Sequence, residues 1–564
     1  MKNLKKILAL VLVLAMALSV VACASAPADS TTTPDSVVDN TVEENTPNEE
    51  VKEEEPYTIT ISVQSGTGVL EYWEAVAAGY EALNPNATIN VDLKASEGYS
   101  EWAKTIGADY KNNTVDLVAI NLVPDLPAGA TINWNEYMEE VNPYDAEGKA
   151  WKDCFNYNAQ TRDGVTGDFS ALSLDSVQVT WFYNKDLFAK AGVEAPKTWD
   201  EFVKVCEALD AIGVQPLCVE GSYDSFYSMR MGWLAQMYAD QTTRCDIELY
   251  RAQPGDYCYN PDTDGKFVLD LTDPWNDDAI NVTVNPVRFW SLVYDGTLSA
   301  NTPGTAKVWE NFAKIFPKYA GVDAFFGTTD GLPLFWQGKA AITCHVSGFA
   351  VSFAEIMKKA KAGETTIGEG EDAIEGVQVF DLGMFNMPSM TNESGKFGAD
   401  EIFKAPARTI EVSTGFLGAF SRSAEQDAHI VDFMMYYCSA EGHSLAVQAG
   451  LNAGWTPAGA SLVYGVTYPD EIQSAFEATE WIGNCQKQRC AAFARGLSDN
   501  QESTRKFYDL AQQCLTGKIT PEQYAEQMAE QHMSYFNECL PSSIAISDFA
   551  DPSVEPVGQE VEEG

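Results

Sequence analysis

Val179-Thr-Trp-Phe-Tyr-Asn-Lys-Asp-Leu-Phe188, followed by Ala191-Gly-Val-Glu-Ala-Pro-Lys-Thr-Trp-Asp-Glu-Phe202, reads as a strand, a short helix, a glycine turn and a second helix. Thr198 with Glu201 three residues later forms the capping box that starts the second helix. Upstream, residues 57–63 (Tyr-Thr-Ile-Thr-Ile-Ser-Val) alternate with period two, as a strand does. Leu70, Trp73, Val76, Ala77, Tyr80 and Leu83 then fall at helical spacing, and Asn84-Pro85 stops that helix. Residues 88–93 alternate again, 101–110 read helical, and 116–120 form a short apolar strand. Strand, helix, strand, helix, strand predicts a parallel sheet with crossover helices. Ligands in such sheets sit beyond the carboxyl ends of the strands, here 64–67 and 121–125.

The N-terminus has a different character. Lys2, Lys5 and Lys6 precede an unbroken apolar run over 7–18 and the sequence Val20-Val21-Ala22-Cys23. This is the layout of a secretory signal, and the run is shorter than the about 20 residues a spanning helix needs. Residues 24–56 hold ten Asp or Glu, one Lys, four Pro and no aromatic residue. Such a segment cannot bury enough apolar surface to offset its ordering entropy, so it is expected to be a disordered, extended tether. The folded part, from about 57 to 549, is longer than one core usually serves, and two lobes are expected. A net charge of −46 leaves no overall basic surface to track phosphates, which argues against nucleic-acid binding. With Cys23 set aside, eleven of the twelve cysteines remain. Spacing leaves open whether Cys245/Cys258 and Cys485/Cys490 are disulfides or buried thiols.

The Tyr183-Asn-Lys-Asp-Leu-Phe block with Pro196-Lys-Thr-Trp-Asp-Glu-Phe202 resembles the signature of family 1 extracellular solute-binding proteins, the sugar-binding group that includes maltose-binding protein. Three further blocks match in order: Trp336-Gln-Gly-Lys-Ala-Ala-Ile342; Ser413-Thr-Gly-Phe-Leu-Gly-Ala-Phe420 with the helix after Ser423, Gly450 and Pro457; and Leu515-Thr-Gly-Lys-Ile-Thr-Pro-Glu-Gln-Tyr524. The resemblance implies an α/β, type II periplasmic-binding-protein-like fold, two lobes closing on a cleft by a hinge. It places lobe 1 at 57–176 plus 412–465 and lobe 2 at 177–411 plus 466–548, with an acidic tail at 549–564 and extra length at 240–330 and 363–376. Residues 1–22 resemble a lipoprotein signal peptide, which implies cleavage before Cys23 and a lipid on its thiol. The expected partners are a carbohydrate ligand, the permease of an ABC importer, and the membrane through the lipid.

A sugar offers hydroxyl edges and apolar faces, so recognition needs carboxylates or amides together with aromatic planes. The resemblance points to Asp175 and Gln178 where the first crossing enters lobe 2, and to Glu220 with Tyr223 after an apolar run. Val177 occupies the family's acidic position, which shifts that role to Asp175. Glu220 equally suits the capped start of a helix. Phe349 stands where relatives place a stacking Trp. Asn121 and Asp125 end the third strand, and Trp455 is a loop aromatic. Trp181 is expected to pack between the lobes. Asn260-Pro-Asp-Thr-Asp-Gly265 starts like a calcium loop, but Leu271 takes the place of its bidentate Glu, and a plain Asx/Gly turn is the better reading. No metal or cofactor is expected. The four His follow no catalytic motif. A glycoside hydrolase needs only two carboxylates at a cleft, which 82 acidic residues supply by chance, and a polysaccharide-binding adhesin is the other alternative. The four ordered blocks favour a binding protein that is not an enzyme.

Overall fold

The computed structural model describes residues 55–559 except 66–67, 124–125, 164–165, 224–230, 328–330, 369–372, 478–479, 494 and 498–500. β1 (Tyr57–Gln64) buries Ile59, Ile61 and Val63. β2 (Ala87–Lys94) and β3 (Leu117–Ala119) flank it in parallel, so Ile61 lies between Val91 and Leu117. Helices Leu70–Leu83 and Tyr99–Ala108 make the crossovers. Tyr72, Trp73, Val76 and Tyr80 carry the first helix onto the sheet, in one core with helix Ala424–Tyr437 and helix Ala440–Asn452.

The second sheet is built around β4 (Asp175–Asn184), with β5 (Gln215–Leu217) and β6 (Ala340–Val346) on one side. A small hairpin, β7 (Thr366–Ile367) and β8 (Ile374–Glu375), precedes β9 (Leu382–Phe385) and β10 (Glu411–Thr414), which both pair antiparallel with β4. β11 (Leu417–Ala419) returns to the first sheet beside β3. Strand orders are β11-β3-β1-β2 and β10-β4-β6-β5.

Asn184 caps helix Lys185–Ala191, which ends on Gly192 at φ 69°, a left-handed position that disfavours any residue with a Cβ. The Thr198–Glu201 capping box forms as expected. Trp181 corrects an expectation. It is fully buried in the second core, 4.9 Å from Phe202 and stacked on Phe385, not between lobes. Alternation along β4 sends Trp181 to the face covered by helix Trp199–Ala211, and sends Phe182 to the opposite face with Trp336 and Phe349.

Within 240–330, Tyr250, Phe289, Trp290 and Val293 build a core of their own with Phe536 and Leu540. Residues 549–559 lie over it: Asn285 donates to the Pro552 carbonyl and Tyr257 N–H to that of Ser553. Buried Arg408 pins this region to helix Met231–Thr243 through bidentate pairs with Asp240 and Asp277. At 260–265 Asn260 Oδ1 accepts from the Asp262 N–H, an Asx turn, and the Asp264 carboxylate accepts from the Asn260 and Thr283 N–H groups. Cys245, Cys258, Cys485 and Cys490 are thiols.

Candidate functional site

The two sheets are joined where three chain segments meet. β4 begins at Asp175, which pairs with Thr414 of β10 and bridges to Ser461. After two intervening residues, Gly415 and Phe416, the chain enters β11 of the other sheet. The third segment passes at 457–461: Gly348 N–H donates to the Ala458 carbonyl, and Ser176 Oγ to that of Ala460. A Cβ on Gly348 would stand 2.1 Å from the Pro457 carbonyl oxygen, so only glycine permits this approach. β1, β2 and β3 end on one side of this junction. β5 and β6 end on the other, because Val346 at the end of β6 pairs with Val179 near the start of β4.

Asp175 lies beneath the first lobe's helices. Its side chain is 14% exposed, and its Oδ1 is 3.9 Å from His443 Nε2. Tyr72 and Tyr437, joined hydroxyl to hydroxyl at 2.9 Å, and Tyr468 complete the cluster. Oδ1 of Asp175 and both His443 ring nitrogens have no hydrogen-bond partner among the described residues. Burial pushes the Asp175 carboxyl up to about 7 and His443 down to about 3. The pair is therefore not an ion pair at neutral pH.

Gln178 is 1% exposed. It stands opposite Glu411 in the β4–β10 pairing and donates to the Glu480 carbonyl at 2.6 Å. Glu411 accepts from the Ile482 and Gly483 N–H groups, and burial still pushes its carboxyl up to about 7. Gln178 thus ties the crossing strands to the segment at 480–483.

The strand ends carry the accessible groups. Asn121, in the 3-10 turn after β3, is exposed. Asp125 lies outside the described residues. At the end of β2, Lys94 sits 4.4 Å above the half-buried Trp102 ring. Glu220 and Tyr223 follow β5, and both are half-buried. Phe325 and Gln512 hold this turn through Gly221, whose N–H and carbonyl they engage. Arg505 covers the Tyr223 ring at 3.7 Å. Phe349 is packed at 6% exposure against His345, Trp336 and Phe182. Trp455 stands apart from these groups, half-buried against Tyr72 and lining a recess of about 1240 Å³.

The expected residues thus divide between strand-end groups, buried junction groups and one recess aromatic. Glu411, His443 and Trp102 were missed. Glu411 is two residues before the Ser413 block, but only pairing with β4 gives it meaning. Nothing in the local pattern marks His443 or Trp102. Among the described residues no group of three or more His, Cys, Asp or Glu could hold a metal ion, and no helix is long and apolar enough to cross a membrane.

A family model described as bacterial extracellular solute-binding protein matches residues 65–378. A family 1 extracellular solute-binding protein from Bifidobacterium longum subsp. infantis superposes with a TM-score of 0.50, covering 85% of this chain and 100% of its own at 15% identity. The cyclic alpha-maltosyl-1,6-maltose binding protein from Arthrobacter globiformis also gives 0.50, covering 86% and 100% at 13% identity. Likeness at such identity speaks to the fold, which is the type II periplasmic-binding-protein architecture of two α/β lobes. No curated protein matches the sequence. The match covers more than half of the 564 residues, and with it the chain belongs to the bacterial extracellular solute-binding proteins of family 1.

Proposed function

We propose that the protein captures a carbohydrate, an oligosaccharide class ligand, between its lobes outside the cell and delivers it to the permease of an ABC importer. The observation that carries this reading is the arrangement of strand ends. Both sheets finish beside one crossing junction, with Asn121 and the Trp102–Lys94 pair on one side and Glu220 with Tyr223 on the other. Aromatic planes beside a carboxylate and an amide are what sugar faces and hydroxyls require. Asp175, Gln178 and Phe349 act in this reading from beneath the cleft, shaping the junction. The lobes are 57–176 plus 412–465 and 177–411 plus 466–548, and the two separate cores support that division. Residues 1–22 serve as the export signal, Cys23 carries the lipid, and 24–56 tether the lobes to the outer face of the membrane.

Ligand binds the closed arrangement better because both lobes contact it, so sugar shifts the population toward closure. The test is thermal denaturation against a panel of mono- and oligosaccharides. A ligand at 100 times its Kd adds about 2.7 kcal/mol and should raise the midpoint by several degrees. A rise with one glycan class and no cleaved sugar supports the reading. Release of cleaved sugar would make the protein a hydrolase, and a flat panel would remove carbohydrate as the cargo.

A further inference from the structure

The recess beside Trp455 is walled by both lobes but does not open on the strand ends. At one end it reaches Lys185 and Asp381, next to the finish of β4, where Tyr183 pairs with Ile342 near the start of β6. From there it follows helix Phe349–Lys361 past Ser352 and Phe353 to Asn452 and Trp455 of the first lobe. β5 and β6 end at the opposite edge of the same sheet, and Asn121, Gln178, Glu220 and Tyr223 are absent from its walls. The packed patch of Val351, Ile472 and Phe476 lies beside it, joining helix Phe349–Lys361 to helix Asp470–Glu477.

Its chemistry is that of a neutral polyol site rather than of an ion site. Three lysines (Lys185, Lys358 and Lys361) face two carboxylates (Glu355 and Asp381), so the charges nearly balance in a chain of net −46. Ser352, Asn452 and Thr456 offer uncharged donors and acceptors, and Trp455 supplies a half-buried aromatic plane. The volume, about 1240 Å³, exceeds the ~300–1,000 Å³ of drug-sized pockets and suits an extended ligand.

We infer that this recess is a second carbohydrate site, separate from the one at the strand ends. Resting on the proposed sugar-binding function, it extends that function to a glycan that bridges the lobes on their other side. Because its walls belong to different lobes, an occupant changes the free energy of their relative rotation and so couples to capture at the strand ends.

The test is calorimetric titration of the whole chain with maltotetraose, xylotetraose, cellotetraose and chitotetraose. The sugar giving the largest heat is then titrated into Ser352→Trp, which obstructs the recess along helix Phe349–Lys361, into Trp455→Ala and into Glu220→Ala. The expected result is two binding events in the unaltered chain. Ser352→Trp loses one and keeps the other, and Trp455→Ala weakens that same event roughly tenfold, the loss of one aromatic contact. Glu220→Ala weakens the other event instead. A single event untouched by Ser352→Trp and Trp455→Ala overturns the second site while leaving the proposed function standing. A single event abolished by both, with Glu220→Ala harmless, puts the primary site in the recess and also overturns it. Absence of heat with all four sugars counts against both readings.

Discussion

Asp175 shows how one buried side chain at the crossing junction makes stability depend on pH. Its carboxyl is pushed up to about 7 by burial, above the unfolded value of 3.8, so the folded protein holds a proton that the unfolded chain has released. That contribution to stability is fully present below pH 4 and is lost as pH rises through 7. His443 acts in the opposite sense. Its folded value of about 3 lies below the ordinary 6.5, so its contribution is present above 6.5 and declines as pH falls toward 3. The two slopes oppose each other between about pH 4 and 6.5. Asp175→Asn should remove the first, raising the melting temperature by a few degrees at pH 8 and flattening the fall in stability between pH 4 and 7, while the falling contribution of Glu411 and the rising one of His443 remain. An unchanged pH profile would show that Asp175 is not desolvated in solution. Glu220 belongs to a different group, since it is half-buried at a strand end. Glu220→Ala should weaken sugar binding by about 10- to 100-fold, the worth of a hydrogen bond to a charged group, with an unchanged melting point without sugar. Unaltered affinity would remove Glu220 from the site.

At the scale of elements, the ribbon of β4 and β10 and the close pass of Gly348 under Pro457 join the two sheets. The insertion is fastened separately. Arg408 is buried among Asp240, Asp277 and the Pro274 carbonyl, and Arg244 and Lys487 add further cations near Asp277. Burial alone would raise the Asp277 carboxyl, but Lys487 and Arg408 override it and hold it well below the usual range. Arg408→Met leaves buried Asp240 without its cation and Asp277 with only the more distant Arg244 and Lys487, and should cost about 3–5 kcal/mol. The check is a lower melting temperature together with faster proteolysis near 251–285. A variant as stable as the parent would show that the network is screened by water. Much at this scale was legible beforehand. The period-two run at 57–63, the Asn84-Pro85 stop and the Thr198–Glu201 box each encode their element locally. β4 extends back from Val179 to Asp175 because β10, some 230 residues away, supplies the partner. Local pattern holds no record of such pairing, which is why Glu411 and His443 escaped notice and why Trp181 was placed at the wrong surface. Of the candidates named from family position, Asn121 and Glu220 follow strand ends and Asp175 and Gln178 lie on the crossing strand β4. Whether each side chain turns outward depended on strand phase for Gln178 and on helix phase for Phe349, and both turn inward.

For the whole molecule, the net charge of −46, to which residues 24–56 contribute ten acidic groups and one Lys, favours repulsion from an anionic surface, and the anchor proposed on Cys23 would hold the protein against it. Cys23→Ser should release the protein from membranes into the medium and abolish incorporation of labelled palmitate in the producing cell. Retention of label in that variant would dismiss the anchor. Three buried thiols, Cys206, Cys258 and Cys438, have a further use. Cys438 sits in the first core, Cys206 in the second, and Cys258 in the insertion, and burial raises all three thiols, Cys258 to about 11. Thiolate is scarce at each until its surroundings open. The rate at which a thiol reagent modifies each cysteine therefore acts as a clock for the opening of that region alone. One molecule carries three such clocks, and sugar bound between the lobes should slow them to different extents.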